Sequence, residues 1–402
     1  MSTNESFFVK KKPWSIIKDK VLIAYLEPYL AKVSSMGVPI RIADTFAGKG
    51  MFEDGNPGSP VIISEAIRRQ LSRYGNRCDD IKGVFIEKKY PNELKETLSE
   101  HSSYSKVLDG EYEERMNYFL DNYLAMGMHF LFYVDPYGIK SLRFSHFERL
   151  KEKRPLTVEV LLNMNAFGFM REGCRLMGLE SDIDETPEFY YQDIDNLDRM
   201  DEIAGGSYWR SIVEDFYSKT ISMKEAEERF VHQYREQMKA VFQYVIDIPI
   251  KEHLNHIPKY RIIYCTDHED GLLLMADNMH KRWDEFKQQD RDGTIPLFEI
   301  DFPDPCSTDY ALNIESEIMK QLSSQELPLK ELLVRLIASN GIIYSTNHYK
   351  KTLKDLEASG GIIVRRDPER TDKGKKRSGW DHMAKEYKIY LSRKNEWQAS
   401  LL

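Results

Sequence analysis

Short, continuously apolar runs alternate along this chain with segments that have helical spacing. Five apolar runs, each followed by a helical segment, lie at residues 39–46, 81–89, 105–109, 128–138 and 157–165. Strands buried on both faces are continuously apolar, and an intervening helix lets consecutive strands run parallel. The pattern predicts an α/β fold in which helices cover both faces of a mostly parallel sheet.

Two further strand-like segments follow a long helical stretch. Residues 168–240 are predicted to be a mostly helical insertion with an acidic, solvated part, and the segments VFQYVIDIPI and YRIIYCT come after it. We therefore expect a seven-stranded sheet whose last two strands form an edge hairpin. This sheet and its helices would make a domain spanning residues 1–300, followed by a linker at 301–309 with Pro and Asp breakers.

The C-terminal segment, residues 310–402, has a different organisation. Its pattern predicts three helices and then two strands, at 310–323, 328–339, 345–358, 361–366 and 385–391. Three helices followed by a two-stranded ribbon indicate the winged variant of the helix-turn-helix. The region 329–394 holds 16 Lys and Arg against 8 Asp and Glu, a net charge of +8, whereas the whole chain carries −8. Such a basic segment favours contact with a polyanion.

Several classes of protein are excluded by the composition. The four cysteines are too far apart for a zinc-binding pattern or a disulfide framework: Cys78, Cys174, Cys265 and Cys306. The N-terminal residues lack the apolar core of a signal peptide, and no run approaches the roughly 18 apolar residues of a membrane span. We expect a cytoplasmic protein that needs no metal and does not associate with membranes.

The first candidate site is the turn Asp44-Thr45-Phe46-Ala47-Gly48-Lys49-Gly50, which follows the first strand and precedes a helix. Glycines let the backbone turn sharply and approach a ligand with no Cβ in the way. The alternative is a plain tight turn, but the position directly after the first strand favours a ligand-binding loop. The candidate cofactor contacts in this loop are Asp44, Phe46, Ala47, Gly48 and Gly50.

Two carboxylates end the next two strands. Glu87 closes the second strand, where doubly wound nucleotide-binding folds place a carboxylate that accepts hydrogen bonds from ribose hydroxyls. Asp109 closes the third strand, where it would face an adenine amino group. The alternatives are a surface glutamate beside Lys88 and Lys89, and an aspartate that only forms a turn.

The segment Asp135-Pro136-Tyr137-Gly138 ends the most apolar strand of the chain. Ligands of such sheets lie at the carboxyl ends of the strands. There Asp135 would accept hydrogen bonds from a substrate amine, Pro136 would fix the turn, and Tyr137 would stack on a base. The alternative is an Asp-Pro turn that only ends the strand. Asn163 and the group Thr266-Asp267-His268 end later strands, and either could line the same crevice; a lone histidine such as His268 is more often structural than catalytic.

Seven cationic residues are candidate nucleic-acid contacts, because Lys and Arg displace counterions from phosphates. They lie on the helix predicted at 345–358 and around the following strands: Lys350, Lys351, Lys354, Arg365, Arg366, Lys375 and Lys376. A helix fits the major groove of duplex DNA. The alternatives are a solvated charged face and a winged helix that binds only protein.

Together these segments resemble the family of three-Cys-motif partner proteins (TcmP). The shared segments are the opening helix around Trp14 and Lys18, ADTFAGKG with the later Gly58-Ser59-Pro60, FIEKK, VDPYG, LLNMN, IIYCTDHEDGLLLMADNM and the C-terminal winged helix. The resemblance implies a class I methyltransferase-like Rossmann fold that binds S-adenosylmethionine (SAM) at Asp44, Gly48, Gly50 and Glu87. It also implies a partner, a radical-SAM-like protein with a three-cysteine motif.

We therefore expect a SAM-dependent methyltransferase that acts on DNA or RNA together with that partner. VDPYG is similar to the D-P-P-Y motif of methyltransferases that modify base amino groups, although its second proline is absent and Tyr137 comes one position early. The main alternative is a non-catalytic adaptor that keeps the fold and brings the partner to nucleic acid. A third alternative, an NAD-dependent oxidoreductase, is disfavoured by the incomplete G-x-G-x-x-G pattern.

Overall fold

A computed structural model describes residues 11–74, 80–179, 194–292 and 313–394 of the chain. The chain divides into two compact units, residues 1–271 and 272–402. The linker predicted at 301–309 lies outside the described residues, and so does the acidic segment 180–193 of the predicted insertion.

The first unit is built around a seven-stranded sheet, as the sequence predicts, with the strand order β3-β2-β1-β4-β5-β7-β6. Its strands are β1 (Ile40–Asp44), β2 (Ile81–Glu87), β3 (Ser105–Asp109), β4 (His129–Val134), β5 (Thr157–Met164), β6 (Tyr244–Ile250) and β7 (Tyr260–Thr266). Strands β1 to β5 are mutually parallel, whereas β7 runs antiparallel between β5 and the edge strand β6. The sheet and its flanking helices form a mixed α/β, Rossmann-like fold.

Burial explains which strands lie in the middle of this sheet. All six residues of β4 are buried, and β5 is buried from Val158 onward. The edge strand β3 buries only Leu108. Central strands of a parallel sheet are covered on both faces, so the longest apolar runs occupy the centre.

The helices of the first unit cover the sheet with their apolar faces. They are α1 (Pro13–Ser34), α2 (Ser59–Tyr74), α3 (Pro91–Thr97), α4 (Tyr112–Asn122), α5 (Phe144–Glu152), α6 (Ala166–Leu176), α7 (Leu197–Ala204), α8 (Trp209–Tyr217) and α9 (Met223–Val241). In α4 the buried residues Tyr112, Met116, Phe119 and Leu120 recur at helical spacing. Helices α6 to α9 lie in the predicted insertion and extend the apolar core, in which Trp209 is fully buried.

The second unit combines helices with a small antiparallel sheet. Its described helices are α10 (Glu269–Asp292, whose first three residues precede the division), α11 (Ile314–Gln321), α12 (Leu329–Asn340) and α13 (Thr346–Ala358). Its described strands, in the sheet order β8-β10-β9, are β8 (Leu327–Pro328), β9 (Ile362–Asp367) and β10 (Lys388–Arg393). The sequence predicts only β9 and β10, because a strand of two residues leaves no readable alternation.

Helix α13 begins where the sequence predicts. The hydroxyl of Ser345 accepts a hydrogen bond from the His348 N–H, and so caps a helix end whose first N–H groups have no helical partner. Tyr349, Leu353 and Leu356 form its buried face. Across both units, no described helix has the length and apolar character needed to cross a bilayer.

Candidate active site at the carboxyl ends of the central strands

Four polar side chains lie where the central parallel strands end. Asp44 and Glu87 are the last residues of β1 and β2, Asp135 follows β4, and Asn163 is the penultimate residue of β5. The strands β2, β1, β4 and β5 are consecutive parallel neighbours, so their carboxyl ends meet at one edge of the sheet. Ligands of open α/β sheets bind at this edge, where the strand order reverses between β1 and β4.

The loop after β1 depends on glycine for its own conformation. The Phe46 N–H donates to Asp44 Oδ1 at 3.1 Å, which closes the first turn of the loop. Gly48 and Gly50 have φ angles of +64° and +82°. Side chains rarely adopt this left-handed region, so glycine is required at both positions.

The close backbone approach that glycine permits at position 50 is to helix α3 of the protein itself. A Cβ atom at this position would lie 3.0 Å from side-chain atoms of both Leu94 and Thr97. The Thr97 hydroxyl also donates to the carbonyl oxygen of Lys49 at 3.1 Å. The second half of the loop is thereby fixed to α3, and Gly48 is the glycine that lies beside the strand-end carboxylates.

Glu87 joins the ends of β1 and β2. Its Oε2 accepts a hydrogen bond from the Gly48 N–H at 2.6 Å, and its Oε1 accepts from the N–H groups of Lys89 and Tyr90 at 2.7 and 3.0 Å. The side chain is buried and faces the loop, not the solvent. A carboxylate offers about four lone-pair sites, so Oε2 retains capacity for a further donor.

Asp44 is a fully buried carboxylate in the same cluster. Burial raises the pKa of Asp44 to about 7, although interactions with the Ser59 side chain and the Phe46 N–H act in the opposite direction. The negative charges of Asp135 and Glu87 contribute to the rise. Asp44 therefore changes protonation close to neutral pH, far above the ordinary range of an aspartate.

Both carboxylate oxygens of Asp135 accept hydrogen bonds. Lys18 Nζ donates to Oδ1 and Oδ2 at 2.9 and 2.6 Å, Asn163 Nδ2 donates to Oδ1 at 2.7 Å, and the Tyr133 hydroxyl donates to Oδ2 at 3.3 Å. Asn163 is buried, and its Oδ1 has no hydrogen-bond partner among the described residues. Among the described residues, Asp44 Oδ2 likewise lacks a hydrogen-bond partner, so two buried acceptors at this end of the sheet are unsatisfied.

Lys18 is a site residue that the strand-end motifs do not predict. It lies on α1, 117 residues before Asp135 in the chain. Its ammonium group also lies 5.1 Å from the centre of the Tyr260 ring, a cation–π distance. Local spacing gives no sign of this contact, and the only signal in the sequence is the TcmP resemblance of the opening helix.

Lys11, which precedes α1, forms hydrogen bonds with the segment after the glycine loop. The Lys11 N–H donates to Asp54 Oδ2 at 2.9 Å, and its ammonium group contacts Asp19 and the carbonyl oxygen of Pro57. Burial raises the pKa of Asp19 to about 6, although Lys11 and Lys18 act in the opposite direction. The opening helix therefore belongs to the same polar cluster as the strand ends.

The aromatic residues predicted for the site differ in their surroundings. Phe46 stacks on Tyr112 of α4, with ring centres 4.6 Å apart, so it packs within the protein. The Tyr137 side chain is 60% exposed, and its ring is accessible from solvent. Ala47 and Pro136 are buried beside these two residues in the chain.

Asp109 lies one strand beyond Glu87. The two residues are register partners at the ends of β3 and β2, and Asp109 is exposed. Its position therefore leaves the carboxylate accessible to a ligand at the same edge of the sheet. Within the described ranges, no group of three or more His, Cys, Asp or Glu is placed to hold a metal ion.

The prediction that Thr266-Asp267-His268 lines this site is wrong. Because β7 runs antiparallel, Thr266 is paired with Glu159, near the start of β5. The end of β7 consequently lies at the opposite edge of the sheet, where these three residues line a separate cleft of about 190 Å³ with residues of the segment 151–158. Strand direction depends on tertiary pairing and is not visible in the local sequence.

The predicted nucleic-acid contacts of α13 lie together. They line a groove of about 440 Å³ whose residues are Asn347, Lys350, Lys351, Lys354, Trp380 and Asp381. Lys375 and Lys376 are exposed between β9 and β10, and Lys376 Nζ lies 3.4 Å from the Glu369 carboxylate.

Arg365 and Arg366 are instead bound within the protein. Arg365 donates two hydrogen bonds to Glu326 at 2.7 and 2.6 Å. Arg366 is buried and donates two to Glu357 at 2.8 and 3.0 Å. Such bidentate pairs hold a guanidinium in one geometry, so these arginines fasten β9 to neighbouring segments.

Comparisons with known proteins assign the chain to no family. No family model and no curated protein matches it. Among solved structures, a conserved hypothetical protein of Streptococcus pyogenes is similar over 35% of this chain and 76% of its own length, with 18% sequence identity and a TM-score of 0.23. A TM-score of this size carries no argument about the fold or the function.

Proposed function

We propose that this protein is a SAM-dependent methyltransferase that acts on nucleic acid, together with a radical-SAM-like three-Cys-motif partner. The observation that carries the proposal is the 2.6 Å hydrogen bond from the Gly48 N–H to Glu87 Oε2. It brings the glycine loop after β1 to the carboxylate that ends β2. Nucleotide ligands of doubly wound sheets use both elements, the loop for close backbone approach and the carboxylate for ribose hydroxyls.

The topology of the first unit supports this proposal. The strand order β3-β2-β1-β4-β5-β7-β6, with β7 antiparallel, is the arrangement expected of a class I methyltransferase-like sheet. The TcmP resemblance implies the same fold and the same partner. Neither argument depends on the structural neighbour with the low TM-score.

The strand-end residues fit an adenosyl ligand that carries a positive charge. Glu87 Oε2 has capacity to accept from a ribose hydroxyl, and the exposed Asp109 lies next to it. Asp44 and Glu87 place acidic groups beside the glycine loop, which is favourable for a sulfonium cation. SAM, when bound, would supply the methyl group, and Glu87 and Asp109 would bind and orient it. The fully buried Asp44 would hold the loop through the hydrogen bond that it accepts from the Phe46 N–H.

The acceptor would lie near the ends of β4 and β5. Lys18 compensates the charge of Asp135, and Asp135 in turn orients the Asn163 amide. The exposed Tyr137 ring would stack on a base of the nucleic acid. Methyl transfer depends mainly on alignment of the reacting groups, and this hydrogen-bonded set would provide it.

Calorimetry with full-length protein tests the cofactor. We expect wild-type protein to bind SAM, and Glu87→Ala to weaken binding about tenfold or more, since hydrogen bonds to charged groups contribute about 1.5–3 kcal/mol. Glu96→Ala, at an exposed position on α3, is the matched control and should bind SAM like the wild type. Folded wild-type protein that binds no SAM would contradict the proposal.

A non-catalytic adaptor is the alternative, and one observation favours it. Asp135, the predicted acceptor-binding carboxylate, already has both oxygens occupied by Lys18, Asn163 and Tyr133. Incubating protein and methyl-labelled SAM with DNA or RNA, with and without the partner, separates the two functions. Label on the nucleic acid supports the enzyme, whereas a shifted nucleic-acid probe without label supports the adaptor.

The second unit would serve as a winged helix-turn-helix domain that contacts the nucleic acid. The succession of α11, α12 and α13 followed by β9 and β10 supports this assignment. α13 would contact the phosphates, because Lys350, Lys351 and Lys354 lie on it.

A further inference from the structure

One face of α13 carries three lysines and an asparagine. Asn347, Lys350, Lys351 and Lys354 have the spacing i, i+3, i+4 and i+7, so they form a single stripe along the helix. Asp355 follows one turn after Lys351, at the C-terminal end of this face. Within the stripe, Lys354 lies at like-charge spacing from both Lys350 and Lys351, which destabilises a helix by roughly 0.2–0.5 kcal/mol per pair.

The stripe lines a hollow. Trp380 and Asp381, which precede β10, complete the lining of the groove of about 440 Å³. Lys350 is half-buried in it, and desolvation lowers the pKa of its ammonium group, although the carboxylates of Asp277 and Asp381 act in the opposite direction. Partial burial of a cation costs free energy, which an anionic ligand in the groove would offset.

The lysines of the stripe differ from the neighbouring arginines in their ion pairs. Arg365 and Arg366 each have a glutamate in a bidentate pair. Among the described residues, no carboxylate lies within ion-pair distance of Lys350, Lys351 or Lys354. The stripe is therefore a cationic surface that internal ion pairs do not neutralise.

We propose that this groove binds a single strand of nucleic acid. Its phosphates lie against Lys351 and Lys354, and the exocyclic amino group of one base lies against Asp381 and Asn347. The inference deepens the nucleic-acid part of the proposed function and rests on that part alone, not on methyl transfer. Positively charged grooves of this kind follow the backbone of single strands.

The lining of the groove, which combines α13 with the segment before β10, favours a single strand over a duplex. A helix that reads duplex DNA has to protrude into a major groove about 12 Å wide and 8.5 Å deep. The polar stripe of α13 instead faces a hollow that Trp380 and Asp381 also line. Bases that are not paired can enter such a hollow with their edges exposed.

Asp381 determines which bases suit the groove. A carboxylate repels phosphate but accepts hydrogen bonds from N–H donors. Asp381 Oδ1 accepts from the Met383 N–H at 2.9 Å, and its remaining lone pairs would accept from a base. Cytosine, adenine and guanine carry an exocyclic amino group with two N–H donors, one for Asp381 and one for the Asn347 amide oxygen, whereas an unpaired thymine offers a single N–H at N3. A base with an amino group therefore suits both acceptors, while the lysines hold the phosphates.

Fluorescence anisotropy of full-length protein with short labelled oligo-dC and oligo-dT tests the proposal. We expect oligo-dC to bind about fivefold or more tightly than oligo-dT, since a good contact to a base edge discriminates by about 1–3 kcal/mol. Asp381→Ala should remove this preference. Lys351→Gln and Lys354→Gln should each weaken the binding of both probes and lower the slope of log affinity against log salt by about 0.7.

Lys388→Gln, at an exposed position on β10 outside the groove, is the matched control and should bind like the wild type. Circular dichroism establishes that each variant is folded. Equal affinity of wild type for the two probes, unchanged binding in the two lysine variants, or tighter binding of a duplex would each overturn the proposal. No SAM is present, so a failure of SAM binding or methyl transfer leaves this result intact.

Discussion

Glu159 is a carboxyl group enclosed between the sheet and α1. The Tyr25 hydroxyl donates to its Oε2 at 2.5 Å and lies 2.6 Å from the Tyr264 hydroxyl. A Cβ atom at Gly271 would lie 2.8 Å from Glu159 Oε1, so glycine is needed there for space. Burial raises the pKa of Glu159 to about 7, although hydrogen bonds with the two tyrosines act in the opposite direction.

This raised pKa predicts a pH-dependent stability. The pKa of Glu159 in the folded state lies above its ordinary value of 4.5, so the stability it contributes is complete below 4.5 and is lost as the pH rises through 7. Between about pH 4.5 and 8, wild type should lose up to about 3 kcal/mol relative to Glu159→Gln. Urea denaturation at several pH values measures the free energy of unfolding of both proteins. Glu148→Gln, at an exposed position on α5, is the control. A difference in stability between wild type and Glu159→Gln that does not change with pH would contradict the raised pKa.

The contact between Lys18 and Asp135 predicts a measurable coupling. Both side chains are largely buried, so either single substitution leaves a charge without its partner. A double-mutant cycle of Lys18→Ala and Asp135→Ala should give an interaction energy of about 1–3 kcal/mol. Denaturation of the four proteins measures it, and additive effects of the two substitutions would exclude a stabilising contact.

At the scale of elements, a buried ion-pair network joins the terminal hairpin to a helix. Arg261 of β7 donates two hydrogen bonds to Glu227 of α9 at 2.8 Å and one to Asp247 of β6 at 2.9 Å. Arg235 of α9 also donates to Asp247, at 3.0 Å. The network fixes α9 against the two strands that end the sheet.

Removal of Arg261 should therefore destabilise the first unit strongly. Arg261→Leu leaves Glu227 and Asp247 without their main partner in a buried position, and we expect a loss of about 3–5 kcal/mol. Arg229→Leu breaks an exposed pair with Asp215 and should cost no more than about 1 kcal/mol. Equal effects of the two substitutions on urea denaturation would show that the buried network has no special role.

At the scale of the whole molecule, the division into two units follows from the contacts of α10. Asp277 accepts hydrogen bonds from the Thr346 N–H and hydroxyl at 2.7 and 2.6 Å, and the His280 ring contacts the carbonyl oxygen of Ile342 at 2.8 Å. Thr346 is the first residue of α13, so Asp277 satisfies an N–H that has no partner within the helix. The sequence pattern assigns α10 to the sheet domain, whereas most of it falls in the second unit.

The cap that Asp277 provides predicts that its removal lowers the stability of the second unit alone. Asp277→Ala should destabilise the second unit by about 1–2 kcal/mol, because α13 loses both a cap and a negative charge at its positive end. Scanning calorimetry of full-length protein should show one transition shifted to lower temperature and the other unchanged. Asp355→Ala, at an exposed position within α13, is the control, and an unshifted profile for Asp277→Ala would exclude the cap.

Local sequence patterns alone specify many of the strands and helices of this protein. Continuous apolar runs predicted the strands β1 to β5, and the signal at Ser345 predicted the start of α13. The strand-end positions of Asp44, Glu87 and Asp135 were also readable, because the carboxyl ends of parallel neighbours meet at one edge. These features depend on residues that are close together in the chain, which is why local patterns reveal them.

Which of these residues contact one another depends on the three-dimensional fold. It pairs Lys18 with Asp135, and it directs β7 so that His268 lies at the opposite edge from the strand-end cluster. It also gives Arg365 and Arg366 internal partners while leaving the lysines of α13 along a groove. Each outcome depends on contacts between segments far apart in the chain, and no local periodicity encodes such contacts.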